Sequence, residues 1–121
     1  MKKTCEAVVH TVADAAVIEL TGEVDGAAAG VLTAAYEDAV TGGTAHTVVL
    51  DFARVDYINS TGIALIVSVL AQARSQRRKV VASGLSEHYR EIFDITRLSD
   101  FIEVFGDLDT ALADAGSLRE G

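Results

Sequence analysis

The sequence predicts an α/β fold built as one mixed sheet with helical connections. Two observations point there. Two short β-branched runs near the start lie close enough together to form an antiparallel hairpin. From Gly26 onward, Ala-rich segments with helical spacing alternate with unbroken apolar runs such as "TVVLDFA" and "KVVAS". Such alternation calls for parallel strands joined by right-handed crossovers. The expected order is β-β-α-β-α-β-α-β-α over a single domain, 1–121.

Each element has a local reason. Cys5 to Val12 reads as a first strand, Ala13-Asp14-Ala15 as a turn, and Val17 to Thr21 as a second strand ended by Gly22. Asp25 is a fitting N-cap for a helix from Gly26 to about Val40, with Val31, Leu32, Ala35 and Ala39 on one side and Gly42-Gly43 as its stop. "HTVVLDFA" is the third strand, followed by a loop through Asp56. A second helix runs from Ser60 to about Gln76, with Ser60 as its cap. "KVVASG" is the fourth strand, Ser86 caps a third helix through Phe93, and "FIEVF" is the last strand. A final short helix has Asp107 as its cap and Gly116 as its stop. Periodicity alone leaves open whether helices cover one face of the sheet or both.

The totals narrow the function. At 121 residues and half hydrophobic, the chain is one domain's worth of sequence with enough apolar surface for its own core. A formal charge of −8 opposes nucleic-acid binding, which draws on basic residues, and opposes an anionic membrane surface. One basic cluster stands out, Arg74, Arg77, Arg78 and Lys79, at the place where a helix should end and where cations offset its dipole. Cys5 is the sole cysteine, so neither an internal disulfide nor a multi-cysteine metal site is available. There is no apolar leader segment and no run of roughly 20 apolar residues, so a cytoplasmic protein is expected.

Catalytic patterns are missing. The sequence has no nucleophile elbow, no phosphate loop with lysine, and no closely spaced histidine pair. His10, His46 and His88 fall at element edges. Asp25, Asp51 and Asp56 lie near hydroxyl residues and suggest at most a nucleotide- or metal-binding cluster. No catalytic residue, no metal site and no cofactor are assigned.

The segment that stands out is "VDYINSTGIALIV", residues 55–67. Two hydroxyls, Ser60 and Thr61, sit where an extended segment gives way to an apolar helix. One would suffice as a cap. Gly62 in the first turn costs about 1 kcal/mol of helix stability relative to alanine, which suggests close approach by another molecule. Helix starts also accept anions, so a phosphate on Ser60 would be tolerated while changing the surface.

"VVLDFARVDYINSTGIALIVSVLAQAR" resembles the signature of STAS domains, in particular the bacterial anti-sigma factor antagonists. "IELTGEVD" resembles that family's second strand and loop, and "IFDITRLSDFIEVFGDLDTALA" its C-terminal third. The resemblance implies a regulatory protein rather than an enzyme. The unphosphorylated form would bind an anti-sigma factor that is also a serine kinase, freeing the sigma factor and so controlling transcription. Phosphorylation of Ser60 would end that binding, and a metal-dependent serine phosphatase would restore it. It implies partner contacts by Asn59, Thr61 and Gly62, and by Glu23 and Asp25 in the neighbouring loop. Docking on Ile58 and Ile63 at the helix start would put a phosphate inside the contact. Where the family pattern has aspartate before the serine, this chain has Asn59. That departure favours an alternative, an unphosphorylated scaffold or regulatory subunit of a stress-sensing or lipid-transport complex.

Overall fold

A computed structural model describes residues 3–42 and 45–120. Five strands form one sheet in the order β1-β2-β3-β4-β5: β1 Glu6–Val12, β2 Ala15–Val24, β3 Thr47–Ile58, β4 Lys79–Ser83 and β5 Glu103–Phe105. The β1–β2 pair is antiparallel and every later pair is parallel. The helices are α1 Ala29–Val40, α2 Ser60–Ser75, α3 Glu87–Ile95 and α4 Leu108–Glu120. This is the expected order of elements. Among the described residues no helix is long and apolar enough to cross a membrane.

Successive strand residues point to opposite faces, and the core divides accordingly. Ile18, Leu20, Val48, Leu50 and Ala82 face one way and pack with Leu32, Tyr36, Ile66 and Phe93. Val17, Val49 and Val81 face the other way, against Ala111, Leu108 and Leu112 of α4. Helices therefore cover both faces: α1, α2 and α3 on one, α4 on the other. Phe52 and Phe93 meet edge to face at 6.2 Å within the larger core.

Several boundaries differ from the sequence reading, each for a physical reason. The hairpin loop is only Ala13-Asp14, with Val12 opposite Ala15, so β2 begins two residues before Val17. Gly22 does not end β2. It adopts φ +86° at a register irregularity, and a Cβ there would sit 2.4 Å from the Thr4 carbonyl oxygen, so the strand continues to Val24 beneath the N-terminal segment. That longer β2 gives the residues after Ala53 a pairing partner. Val55 lies opposite Gly22, Tyr57 opposite Glu23 and Ile58 opposite Val24, so the expected loop is strand.

Asp25 caps a 3-10 turn, Gly26–Ala28, rather than α1 itself; its carboxylate accepts a hydrogen bond from the Ala27 N–H at 3.0 Å. Gly42 takes φ +96° just after α1, while Gly43 lies outside the described residues. Ser86 caps α3 as expected, accepting from the Tyr89 N–H, and the helix runs two residues past Phe93. Arg97 at φ +65° then turns the chain into a second 3-10 turn, Leu98–Asp100. The last strand is accordingly short, and Phe101 lies outside it, 65% exposed. Asp107 caps α4, holding both the N–H and the hydroxyl of Thr110, but α4 passes through Gly116 instead of stopping there.

Candidate functional site at the start of helix α2

The end of β3 delivers the polar triplet to the surface. Ile58 is 5% exposed and its N–H donates to the Tyr89 hydroxyl at 2.9 Å, which fastens the strand end to α3. The Asn59 N–H donates to the Val24 carbonyl at 3.2 Å, closing the parallel pairing with β2. The chain then turns into α2.

The cap of α2 is Asn59, not Ser60. Asn59 has extended backbone (φ −97°, ψ −179°), and its Oδ1 accepts the Gly62 N–H at 2.8 Å. An amide oxygen in that position satisfies one of the four unpaired N–H groups of a helix start. Ser60 becomes the first helical residue, and its side chain is exposed without a hydrogen bond among the described residues. Thr61 is exposed beside it, its methyl near Gly26 of the first 3-10 turn; a Cβ on Gly26 would meet that methyl at 3.4 Å.

Gly62 and Ile58 have different work from that expected. Gly62 is buried, and a Cβ there would lie 2.1 Å from the Val24 carbonyl oxygen. Glycine is required because helix α2 starts directly against the end of β2. Ile58 belongs to the core, and Ile63 is half-buried against it. Asp25 is buried beneath its own turn, at 6% exposure. Glu23 is half-buried and tied to the N-terminal segment. Its carboxylate accepts from the Lys3 N–H at 3.2 Å, and its own N–H donates to the Lys3 carbonyl at 3.1 Å. Lys3 also pairs with Asp56 at 3.5 Å.

Of the eight positions expected to contribute, Ser60 and Thr61 are thus exposed, Asn59, Glu23 and Ile63 partly so, while Asp25, Ile58 and Gly62 are buried in the platform. Tyr57, three residues before Ser60 and 50% exposed, is a large apolar group at this edge that the sequence reading passed over. Its only signal was an aromatic, β-favouring residue one place before Ile58. Tyr89 was also missed, because nothing local ties a residue in α3 to Ile58.

The aspartates do not assemble into a cation site. Asp51 accepts hydrogen bonds from Ala53 N–H and Ser83 Oγ, each at 3.2 Å, and so ties the middle of β3 to the end of β4. Among the described residues no three His, Cys, Asp or Glu side chains lie together as a metal site. Cys5 is buried, and burial first, then the charges of Asp25 and Glu6, push its thiol pKa up, which keeps the sulfur protonated and unreactive.

Comparison with known proteins now places this geometry. The family described as "Mlab, STAS domain" matches residues 8–112. The chain belongs to the STAS domain family. Among curated relatives, the anti-sigma-B factor antagonist of Listeria monocytogenes is 36% identical over 55 residues, 46% of this chain and 48% of that protein. This STAS chain spans about half the length of the curated relatives it matches. Among solved structures, the anti-sigma factor antagonist SpoIIAA in its unphosphorylated form superposes with a TM-score of 0.70 at 19% identity, covering 92% of this chain and 97% of that one. Its phosphorylated form gives 0.68 at 19% identity, covering 90% and 98%. A sulfate transporter family protein from Wolinella succinogenes gives 0.81 at 21% identity, covering 93% of each chain. At these identities the structural likenesses establish the STAS fold.

Proposed function

We propose that this STAS protein is an anti-sigma factor antagonist whose binding is switched by phosphorylation of Ser60. In this reading the unphosphorylated protein binds an anti-sigma factor serine kinase through the exposed start of α2. Transfer of a phosphate to Ser60 releases it, and a metal-dependent serine phosphatase resets it. The protein acts by binding rather than by catalysis.

The observation that carries the reading is the division of labour between Asn59 and Ser60. Because Asn59 holds the helix start, Ser60 is exposed and its hydroxyl makes no hydrogen bond among the described residues. It can be esterified without loss of the cap. The unpaired N–H groups of the first turn and the helix dipole favour an anion there. A phosphate brings about −1.5 to −2 charges at neutral pH. Added to the surface of a chain of net charge −8, it makes that surface hostile to a partner that matched it before. Burying an unmatched phosphate in a contact should weaken binding by more than about tenfold.

Incubation with ATP and an anti-sigma factor serine kinase, followed by intact-mass measurement, tests this directly. One phosphate is expected on the wild type and none on Ser60→Ala, with kinase affinity reduced at least about tenfold by Ser60→Asp. A wild-type mass that never changes would overturn the switch. One observation supports a second reading, an unmodified scaffold: the cap is neutral Asn59 where the family pattern carries aspartate. That reading expects Ser60→Asp to leave the affinity for its partner unchanged.

A further inference from the structure

On the same face as α1–α3, but towards the other end of α2, a groove of about 750 Å³ runs between that helix and the segment from Thr96 to Glu103. Its floor includes Leu98 and Ile102, both in the core, and its lips carry Val67 and Phe101, 47% and 65% exposed. Four cations line it, Arg74, Arg78, Lys79 and Arg97, against two carboxylates, Asp100 and Glu103. Lys79 is paired with Glu103 and Asp114, and Arg97 with Asp100. Arg74 and Arg78 make no ion pair among the described residues, and the Arg78 guanidinium is held in place by the Ala45 carbonyl. A positively charged apolar groove is thus set into a chain of net charge −8.

We propose that this groove docks an acidic amphipathic helix of a partner protein. Val67, Ala71 and Arg74 follow the i, i+4, i+7 ridge of α2, a wall against which a second helix packs with its own ridges. Apolar residues of the incoming helix meet Val67, Leu70 and Phe101, and its carboxylates meet Arg74 and Arg78. Charge complementarity selects the sign of the partner. In a second copy the apolar sides of α1 and α3 are spent on the core, Tyr36 and Phe93 each being no more than 1% exposed, and α2 carries Arg74 rather than a carboxylate on the ridge of Val67 and Ala71, so no acidic apolar face is offered to the groove. An anionic membrane is opposed by the charge of the rest of the molecule.

The groove begins seven residues beyond Ser60, roughly 10 Å along the helix axis. Its occupant is therefore separate from the surface at the helix start, and the proposal stands without the phosphoswitch.

The test uses a synthetic peptide of about 18 residues, long enough to hold a helix, with leucines at i, i+3 and i+7 and glutamates on its flanks. A second peptide replaces every glutamate by lysine. In fluorescence anisotropy at low salt the glutamate peptide is expected to bind at least about tenfold more tightly than the lysine peptide, with the difference shrinking as salt rises. Arg74→Glu and Phe101→Ser, both at exposed side chains, should each weaken it by about tenfold. Amide shifts in NMR spectra should fall on Val67–Arg74 and Leu98–Glu103, and at about 0.15 M salt Ser60→Asp should change the affinity far less than Arg74→Glu does. Equal affinity for the two peptides, no binding of either, or shifts elsewhere would overturn the proposal. So would self-association that shields Phe101, or binding of the free protein to phosphatidylserine vesicles through this groove.

Discussion

Asn59 and Ser60 are adjacent polar residues of similar size, yet only one of them holds the helix. The amide reaches one atom further than the hydroxyl and, from an extended backbone, meets the Gly62 N–H at 2.8 Å. Losing that bond in Asn59→Ala should lower unfolding free energy by about 1 kcal/mol in urea titration. Asn59→Asp should keep the bond and add about 0.3–1 kcal/mol from the helix dipole, whereas Ser60→Ala should change stability by less than about 0.5 kcal/mol. A large loss on Ser60→Ala would mean that the hydroxyl has structural work after all. This assignment was half legible beforehand. The sequence marks a cap somewhere in "NST", but Asn and Ser are near-equal caps, and only the position of β2 decides which one the helix begins after.

At the scale of elements, the tightest constraint is the contact between the first turn of α2 and the end of β2. Gly62→Ala should destabilise by about 1–3 kcal/mol, since the added methyl meets a backbone carbonyl that cannot rotate away. Gly30→Ala in α1 is the contrasting case. Nothing lies within 4 Å of its Cβ position, so this change should instead stabilise by about 0.5–1 kcal/mol. Both are read from denaturation midpoints. The start of α4 makes a pH prediction. Hydrogen bonds from the Thr110 hydroxyl and N–H hold the Asp107 carboxyl below its ordinary 3.8. A carboxyl with a depressed folded pKa stabilises fully above its unfolded value and loses that contribution as pH falls through the folded one. Helicity at 108–115 should therefore be unchanged down to about pH 5 and fray below 3.8. Asp107→Asn should flatten this dependence in NMR amide shifts. Element boundaries were the part of the fold least visible in the sequence. Arg54 and Asp56 made 54–57 look like loop, because strand charges on an exposed face resemble those of a turn until the pairing of β3 with β2 is known.

For the molecule as a whole, α4 is what makes the sheet two-sided. It buries Val17, Val49 and Val81, which would otherwise form an exposed apolar strip across three strands. Ala111→Asp places an unpaired carboxylate at a position 1% exposed and should cost at least about 2 kcal/mol. Binding of a hydrophobic dye before the main unfolding transition should report the uncovered strip. The alternation of apolar runs and helical segments was enough to give the strand and helix order, because local periodicity encodes it. It could not assign α4 to the second face, since an alanine-rich helix with modest apolar residues fits either side. Likewise the triplet at the helix start was visible as a pattern, while Tyr57, Tyr89 and the groove beside α2 depend on residues brought together from distant segments.

Lys3 lies across this edge of the molecule, bonded to Glu23 through both backbone groups and paired with Asp56 by its side chain. A polypeptide fused upstream of it would start beside Glu23 and Asp56, close to the strand end that leads to Ser60. An affinity handle attached at that end would crowd the very contacts a binding assay is meant to measure. Attachment through α4, which packs on the other face of the sheet from α2, keeps the helix start open.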